Sequence, residues 1–225
     1  MVFLFFDIDG TLIHSGGAGA RALERAFYSL YGIKNAMEGI TPHGKTDPVI
    51  VEEIFLKKLG ISPQQNHIQQ VLNLYLQFLE EEVQISPGYK VIDGVKETLS
   101  EITKSSNLVQ GLATGNIEKG AYIKLKRGGL HHFFRFGGFG SDSKDRTEIL
   151  KVAYKRGTEL AGIKPHRVFV IGDTPLDIIA AKEAGFGSIA VATSIYDIHT
   201  LRSYSPDKAF NNIIELREFL KNLRN

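Results

Sequence analysis

The chain has 225 residues, with 27 Lys+Arg against 25 Asp+Glu and a formal net charge of +2. That length allows one large domain or two small ones, and a near-neutral charge gives no electrostatic case for nucleic acid as the main ligand. The absence of cysteine excludes disulfides, zinc–thiolate sites and thiol nucleophiles, while 43% apolar and 23% charged residues exclude disorder as the main state.

Val2–Phe6 (VFLFF) reads as a central parallel strand buried on both faces, ending at the polar turn Asp7-Ile8-Asp9-Gly10-Thr11. It is too short for a signal peptide or a membrane span. With no long apolar run elsewhere, a soluble, cytoplasmic protein with no membrane association is expected. The glycine-rich stretch Ser15–Gly19 leads into a helix over 20–31. Two more amphipathic helices are expected over 47–59 and 63–83, the latter with Pro63 in its first turn and Ser62 as N-cap. This all-helical block ends at Ile85-Ser86-Pro87-Gly88.

Beyond it, helices and strands alternate. Helices are expected over 95–103, 118–127, 146–160, 176–184 and 213–223, and strands over 108–113, 133–136, 167–171 and 188–192, with a short edge at 209–210. Such alternation predicts an α/β fold with a doubly wound, Rossmann-like parallel sheet. The helical block, following directly on the first strand, reads as an inserted cap. The expected division is a core of residues 1–15 and 87–225 and a cap of residues 16–86.

In open parallel sheets, ligands bind outside the carboxyl ends of the strands. Those ends carry Asp7-Ile8-Asp9-Gly10-Thr11, Thr114-Gly115-Asn116, Ser141-Asp142-Ser143-Lys144, and Gly172-Asp173 with Asp177 beyond. Carboxylates crowded at one edge repel unless a cation joins them, and an oxygen-only ligand set favours Mg²⁺. Hydroxyl, amide and backbone N–H donors beside a lysine suit a phosphate. Other features read as structural. His131-His132 lacks a spaced carboxylate partner, the Phe133–Phe139 aromatics read as packing, Gly16–Gly19 does not fit a dinucleotide loop and reads as a hinge, and His14, close behind the first motif, is either a packed loop residue or a substrate contact.

Taken in order, these motifs resemble the haloacid dehalogenase superfamily, in particular its phosphoglycolate phosphatase-like members with a helical cap. The first motif is Asp7–Leu12, the second Thr114 and the fourth Gly172–Asp177; Gly44-Lys45-Thr46-Asp47-Pro48 resembles a cap segment of that subfamily. The resemblance implies a Mg²⁺-dependent hydrolase acting on a small phosphorylated metabolite, a phosphoglycolate-like monoester, through an aspartyl-phosphate on Asp7. Asp9 would be acid and base, two residues on in extended chain and so on the same side. Asp7, Asp9 (by its carbonyl) and Asp173 would hold the metal. Gly10, Thr11, Thr114, Gly115 and Asn116 would cradle phosphate, and Asp177 would position a cation. The family expects a lysine, often before a proline, ahead of the helix at 146. No proline is present; counting back from Glu148-Ile149-Leu150 puts Lys144 in that slot, with Arg146 the alternative. Lys45, in a loop between cap helices, would contact the substrate. The alternatives are a phosphosugar mutase, against which Thr11 argues, and a non-catalytic binding module, against which the retention of Asp7, Asp9 and Asp173 argues.

Overall fold

A computed structural model describes residues 1–223. Its centre is a six-stranded, all-parallel sheet. The strands are β1 (Val2–Phe6), β4 (Leu108–Ala113), β5 (Gly137–Gly138), β6 (Arg167–Gly172), β7 (Gly187–Val191) and β8 (Lys208–Phe210), in the spatial order β5-β4-β1-β6-β7-β8. Five bulky apolar residues put β1 in the middle because alternate side chains must be covered from both sides. Leu4 and Phe6 join one core cluster with Leu99, Leu125 and Leu216, and Phe3 and Phe5 join another with Leu150 and Ala153. The covering helices are α4 (Val95–Thr103), α5 (Glu118–Arg127) and α9 (Ile213–Lys221) on one face, with α6 (Arg146–Ala161) and α7 (Pro175–Glu183) on the other. A short helix, α8 (Ile198–Ser203), joins β7 to β8. Among the described residues, no helix is long and apolar enough to cross a membrane.

The insertion holds α1 (Ala18–Tyr31), α2 (Asp47–Ile54), which runs on through a wider π-type turn at Phe55–Leu59, and α3 (Gln65–Ile85). These helices share their own apolar cluster, including Phe27, Val51, Phe55, Val71 and Leu79. The chain leaves and re-enters the sheet unit side by side. There β2 (Ile13–Ser15) pairs antiparallel with β3 (Tyr89–Val91), and Ser86 Oγ donates to the Ser15 carbonyl at 2.9 Å. Gly16, at φ +61°, passes so close to Gly88 that a Cβ would lie 2.7 Å from the Gly88 Cα.

Four local expectations change. The β2–β3 pairing was not foreseen, since three-residue strands carry little periodicity. The third helix starts at Gln65 with Gln64 as its N-cap, so Ser62 and Pro63 lie in the preceding loop. The expected strand over 133–136 is a 3₁₀ turn at His131–Phe133 followed by extended chain. Phe134 and Phe136 pack into opposite apolar clusters, and only Gly137–Gly138 pairs with β4 as a strand. Helix α8 had no counterpart in the pattern.

Candidate active site

Asp7 follows β1 directly; its N–H donates to the Ile171 carbonyl at 2.9 Å, so the parallel ladder holds its backbone rigid. Gly10 turns the loop at φ +89°, and a Cβ there would sit 2.7 Å from Asp173 Cγ. Only glycine lets the loop pass beneath that carboxylate. Thr11, fully buried, donates to Asp173 Oδ1 at 2.9 Å, and Ser194 Oγ donates to the other oxygen. Asp177 sits in the first turn of α7, accepting from Thr174 N–H at 3.0 Å and Thr174 Oγ1 at 2.7 Å in a capping box.

Asp7, Asp173 and Asp177 present carboxylate oxygens that all lie within 4.8 Å of one another, and all three are buried. The nearest cation is Arg146, which pairs with Asp177 and stands 3.9 Å from Asp7 Oδ1. Burial, then the Asp177 charge, pushes the Asp7 carboxyl up to about 7 against the pull of Arg146. Burial and the same neighbours hold Asp173 well above the ordinary carboxylate range. Once all three carboxyls ionise, they face one guanidinium and leave an uncompensated double negative charge. A divalent cation with oxygen preference fits that deficit, so Asp7 and Asp173 suit a metal such as Mg²⁺. Asp177 is taken up by Arg146 and Thr174. Asp9 presents its side chain elsewhere and could contribute only its carbonyl.

The second strand end supplies Thr114, 1% exposed, whose hydroxyl accepts from Asn116 Nδ2 at 2.8 Å. Asn116 Nδ2 also donates to Asp9 Oδ2 at 2.9 Å. The same Asp9 oxygen accepts from Lys124 Nζ at 2.6 Å, and Lys124 reaches Asn116 Oδ1 at 2.5 Å. Burial raises the Asp9 carboxyl, but Lys124 and Asn116 more than offset it, so Asp9 stays below its ordinary value. The resting structure therefore holds Asp9 as a base.

The cap closes over this edge. Asp47 N–H donates to the Gly115 carbonyl at 2.8 Å, its carboxylate accepts from Ile117 N–H at 2.9 Å, and Arg146 Nη1 donates to the Gly44 carbonyl at 3.2 Å. Between cap and sheet lies a cavity of about 530 Å³ reaching Asp7, Asp9, Gly10, Thr114, Gly115, Asn116 and Arg146. Lys45 lines it with its ammonium 2.5 Å from Glu53, which Lys57 also pairs.

The structure thus separates the two third-motif cations. Arg146 opens α6 at the cavity wall, whereas Lys144 is half exposed, pairs with Glu52 and does not reach the cavity. Lys144 lies ahead of α6, whereas Arg146 opens its first turn.

Sequence reasoning missed Lys124, Tyr75 and Asp47. Lys124 shares the buried stripe of α5 with Ala121 and Leu125. A lysine on an apolar stripe was the available signal. His14 lines the cavity, with burial and then Lys90 holding its imidazole below the ordinary value. His131 and His132 have no acidic partner near enough to form a metal cluster among the described residues.

A profile of haloacid dehalogenase-like hydrolases matches residues 4–191. The chain belongs to that family. Among its relatives, a phosphoglycolate phosphatase of Aquifex aeolicus is 26% identical over 227 residues, covering 99% of this chain and 98% of the other. A pyrophosphatase PpaX of Bacillus velezensis is 26% identical over 217 residues, covering 95% and 93%. The solved structure of a hydrolase from Pseudomonas syringae superimposes with a TM-score of 0.73 at 21% identity over the whole of both chains. One from Bacteroides vulgatus, provisionally named a beta-phosphoglucomutase, gives 0.71 at 23% identity over 99% of this chain and 88% of the other. As a haloacid dehalogenase-like hydrolase, the protein is an enzyme.

Proposed function

We propose that this protein is a Mg²⁺-dependent phosphatase that hydrolyses small phosphate monoesters through an aspartyl-phosphate on Asp7, beneath a cap formed by residues 16–86. The observation that carries the reading is the pairing of Asp7 with Asp9. One carboxylate sits rigidly at the strand end with Arg146 3.9 Å away, and the other, two residues on, is held by Lys124 and Asn116.

An Asp7 oxygen attacks phosphorus as the ester P–O bond breaks, and Asp9, which must first take up a proton from solvent, gives that proton to the leaving oxygen. Asp9, now ionised as Lys124 and Asn116 favour, takes a proton from water. The resulting hydroxide oxygen attacks phosphorus, the acyl phosphate P–O bond breaks, and Asp7 returns as a carboxylate with release of inorganic phosphate. Thr114, the N–H groups after it and Arg146 hold the phosphoryl oxygens. Mg²⁺, held by Asp7, Asp173 and the Asp9 carbonyl, would supply charge neutralisation between the phosphate and these carboxylates. Lys45, which lines the cavity and pairs with Glu53, would contact the substrate from the cap side.

The test is twofold. Purified protein with Mg²⁺ releases phosphate from p-nitrophenyl phosphate, and borohydride reduction of acid-quenched enzyme converts residue 7 to homoserine. Release of phosphate with an unlabelled Asp7 would overturn the covalent route, and no release from any monoester would overturn the phosphatase reading.

A further inference from the structure

On the cap side of the cavity, three elements bring polar groups to one hollow floored by a fourth. Gly19 of α1 forms its floor, and a Cβ there would lie 3.6 Å from both Lys124 Nζ and Tyr75 Oη. Tyr75 of α3 is 1% exposed, yet its hydroxyl lines the cavity with no hydrogen-bond partner among the described residues. A buried phenol ordinarily finds a partner, and one that faces a cavity without one can bond a ligand atom there. Asp47, at the start of α2, completes the group and lines the same cavity.

The charges decide what that atom is. Lys124 is the ammonium beside Gly19, and it faces two carboxylates, Asp9 at 2.6 Å and the buried Asp47, while Lys45, which also lines the cavity, is paired with Glu53. The local sum is one negative charge, so an entering carboxylate or second phosphate meets repulsion. Burial, then Asp47 and Asp9, pushes the Tyr75 phenol well above its ordinary value, so it stays protonated and donates. A neutral hydroxyl satisfies both sides, accepting from Tyr75 and donating to a carboxylate.

We propose that Tyr75, Lys124, Asp47 and the open face of Gly19 form a subsite for a hydroxyl on the alcohol part of the substrate, so that the enzyme acts on polyol or sugar monophosphates rather than on phosphorylated carboxylates or pyrophosphate. The subsite lies beside Asp9, where the leaving oxygen departs, and therefore reads hydroxyls near the ester bond. This inference rests on the phosphatase reading above.

Matched substrates test it. With wild-type protein and Mg²⁺, kcat/KM for glycerol phosphate exceeds that for n-propyl phosphate, which has the same carbon chain without the hydroxyls, by at least about tenfold. Phosphoglycolate and pyrophosphate fall below glycerol phosphate. Tyr75→Phe, which removes one oxygen and keeps the ring, lowers the glycerol-to-propyl ratio to below about threefold; a merely structural role would slow both substrates and leave their ratio intact. A wild-type ratio near one, a preference for phosphoglycolate or pyrophosphate, or an unchanged ratio in Tyr75→Phe overturns the subsite. Absence of hydrolysis of p-nitrophenyl phosphate as well overturns the phosphatase reading, and the subsite with it.

Discussion

The two walls of the cavity are built by different rules. On the sheet side, Asp7, Thr114 and Asp173 each follow a parallel strand, and their backbones are held by ladder hydrogen bonds such as Asp7 N–H to Ile171 and Thr114 N–H to Gly138. On the cap side, Lys45, Asp47 and Tyr75 come from helices and a loop, placed by packing of one unit against the other. The sheet wall crowds like charges that only a cation can reconcile, and it suits chemistry common to any phosphate ester. The cap side holds fewer crowded like charges, with Lys45 paired to Glu53 and Asp47 facing Lys124, and it suits discrimination among alcohols. A fixed reacting edge with a separately packed lid lets one change while the other stays.

The strongest way to break this division is at the sheet wall. Asp7→Asn keeps the shape and removes the nucleophile, so turnover falls by about 10⁵-fold while the circular dichroism spectrum is retained. Steady-state phosphate release checks it; a variant retaining more than about a tenth of the rate contradicts the assigned role.

Next comes the cation. Arg146→Ala removes the guanidinium beside Asp7 and Asp177, lowering kcat by about 10²- to 10³-fold, as for loss of a transition-state charge partner. Lys144→Ala breaks only an exposed pair with Glu52 and changes kcat by less than about threefold. The reverse ranking in parallel kcat measurements would return the slot to Lys144.

The metal is the third handle. A chelator in excess abolishes activity, and Mg²⁺ restores it. Asp173→Ala raises the Mg²⁺ concentration for half-maximal rate at least about tenfold, because a buried carboxylate matched to the ion is lost. Full activity in chelator would show that the carboxylate cluster serves another end.

These three handles concern residues visible in the sequence, and the reason is geometric. A parallel sheet puts its strand ends on one edge, so a strand followed by Asp-x-Asp-Gly-Thr or by Gly-Asp declares both the residue and its place. Lys124 gave no such declaration. It becomes a site residue only because α5 packs with its Ala121–Leu125 face inward and the lysine reaches round to Asp9. Tyr75 reads as one more aromatic in an amphipathic helix until the packing of α3 against α1 brings its hydroxyl to Gly19. Lys144 illustrates the converse: the right residue type near the right place, set in the bend before α6 and paired with Glu52. In the fold, the short β2–β3 pairing and the two-glycine strand β5 were hidden because tertiary contacts, rather than side-chain alternation, define them.

The smallest effect tests the charge balance of the cap wall itself. Asp47 is buried, and burial, opposed by Lys124 and the Ile117 N–H, pushes its carboxyl from 3.8 up to about 6. Below about pH 4 the group is protonated in both folded and unfolded chains and contributes nothing to the pH dependence. Between about pH 4 and 6 the unfolded chain ionises first, so stability falls as pH rises. Above about pH 6 both forms are ionised and the full penalty remains, on the order of 2–3 kcal/mol. Asp47→Asn still offers a carbonyl to Ile117 N–H but cannot ionise. Its Tm should match wild type near pH 4 and exceed it by several degrees near pH 8. A variant less stable than wild type at pH 8 would mean that attraction to Lys124 outweighs the cost of burying Asp47. The hollow beside Gly19 would then owe its balance to a tight ion pair, and the repulsion of an entering carboxylate would lose its basis.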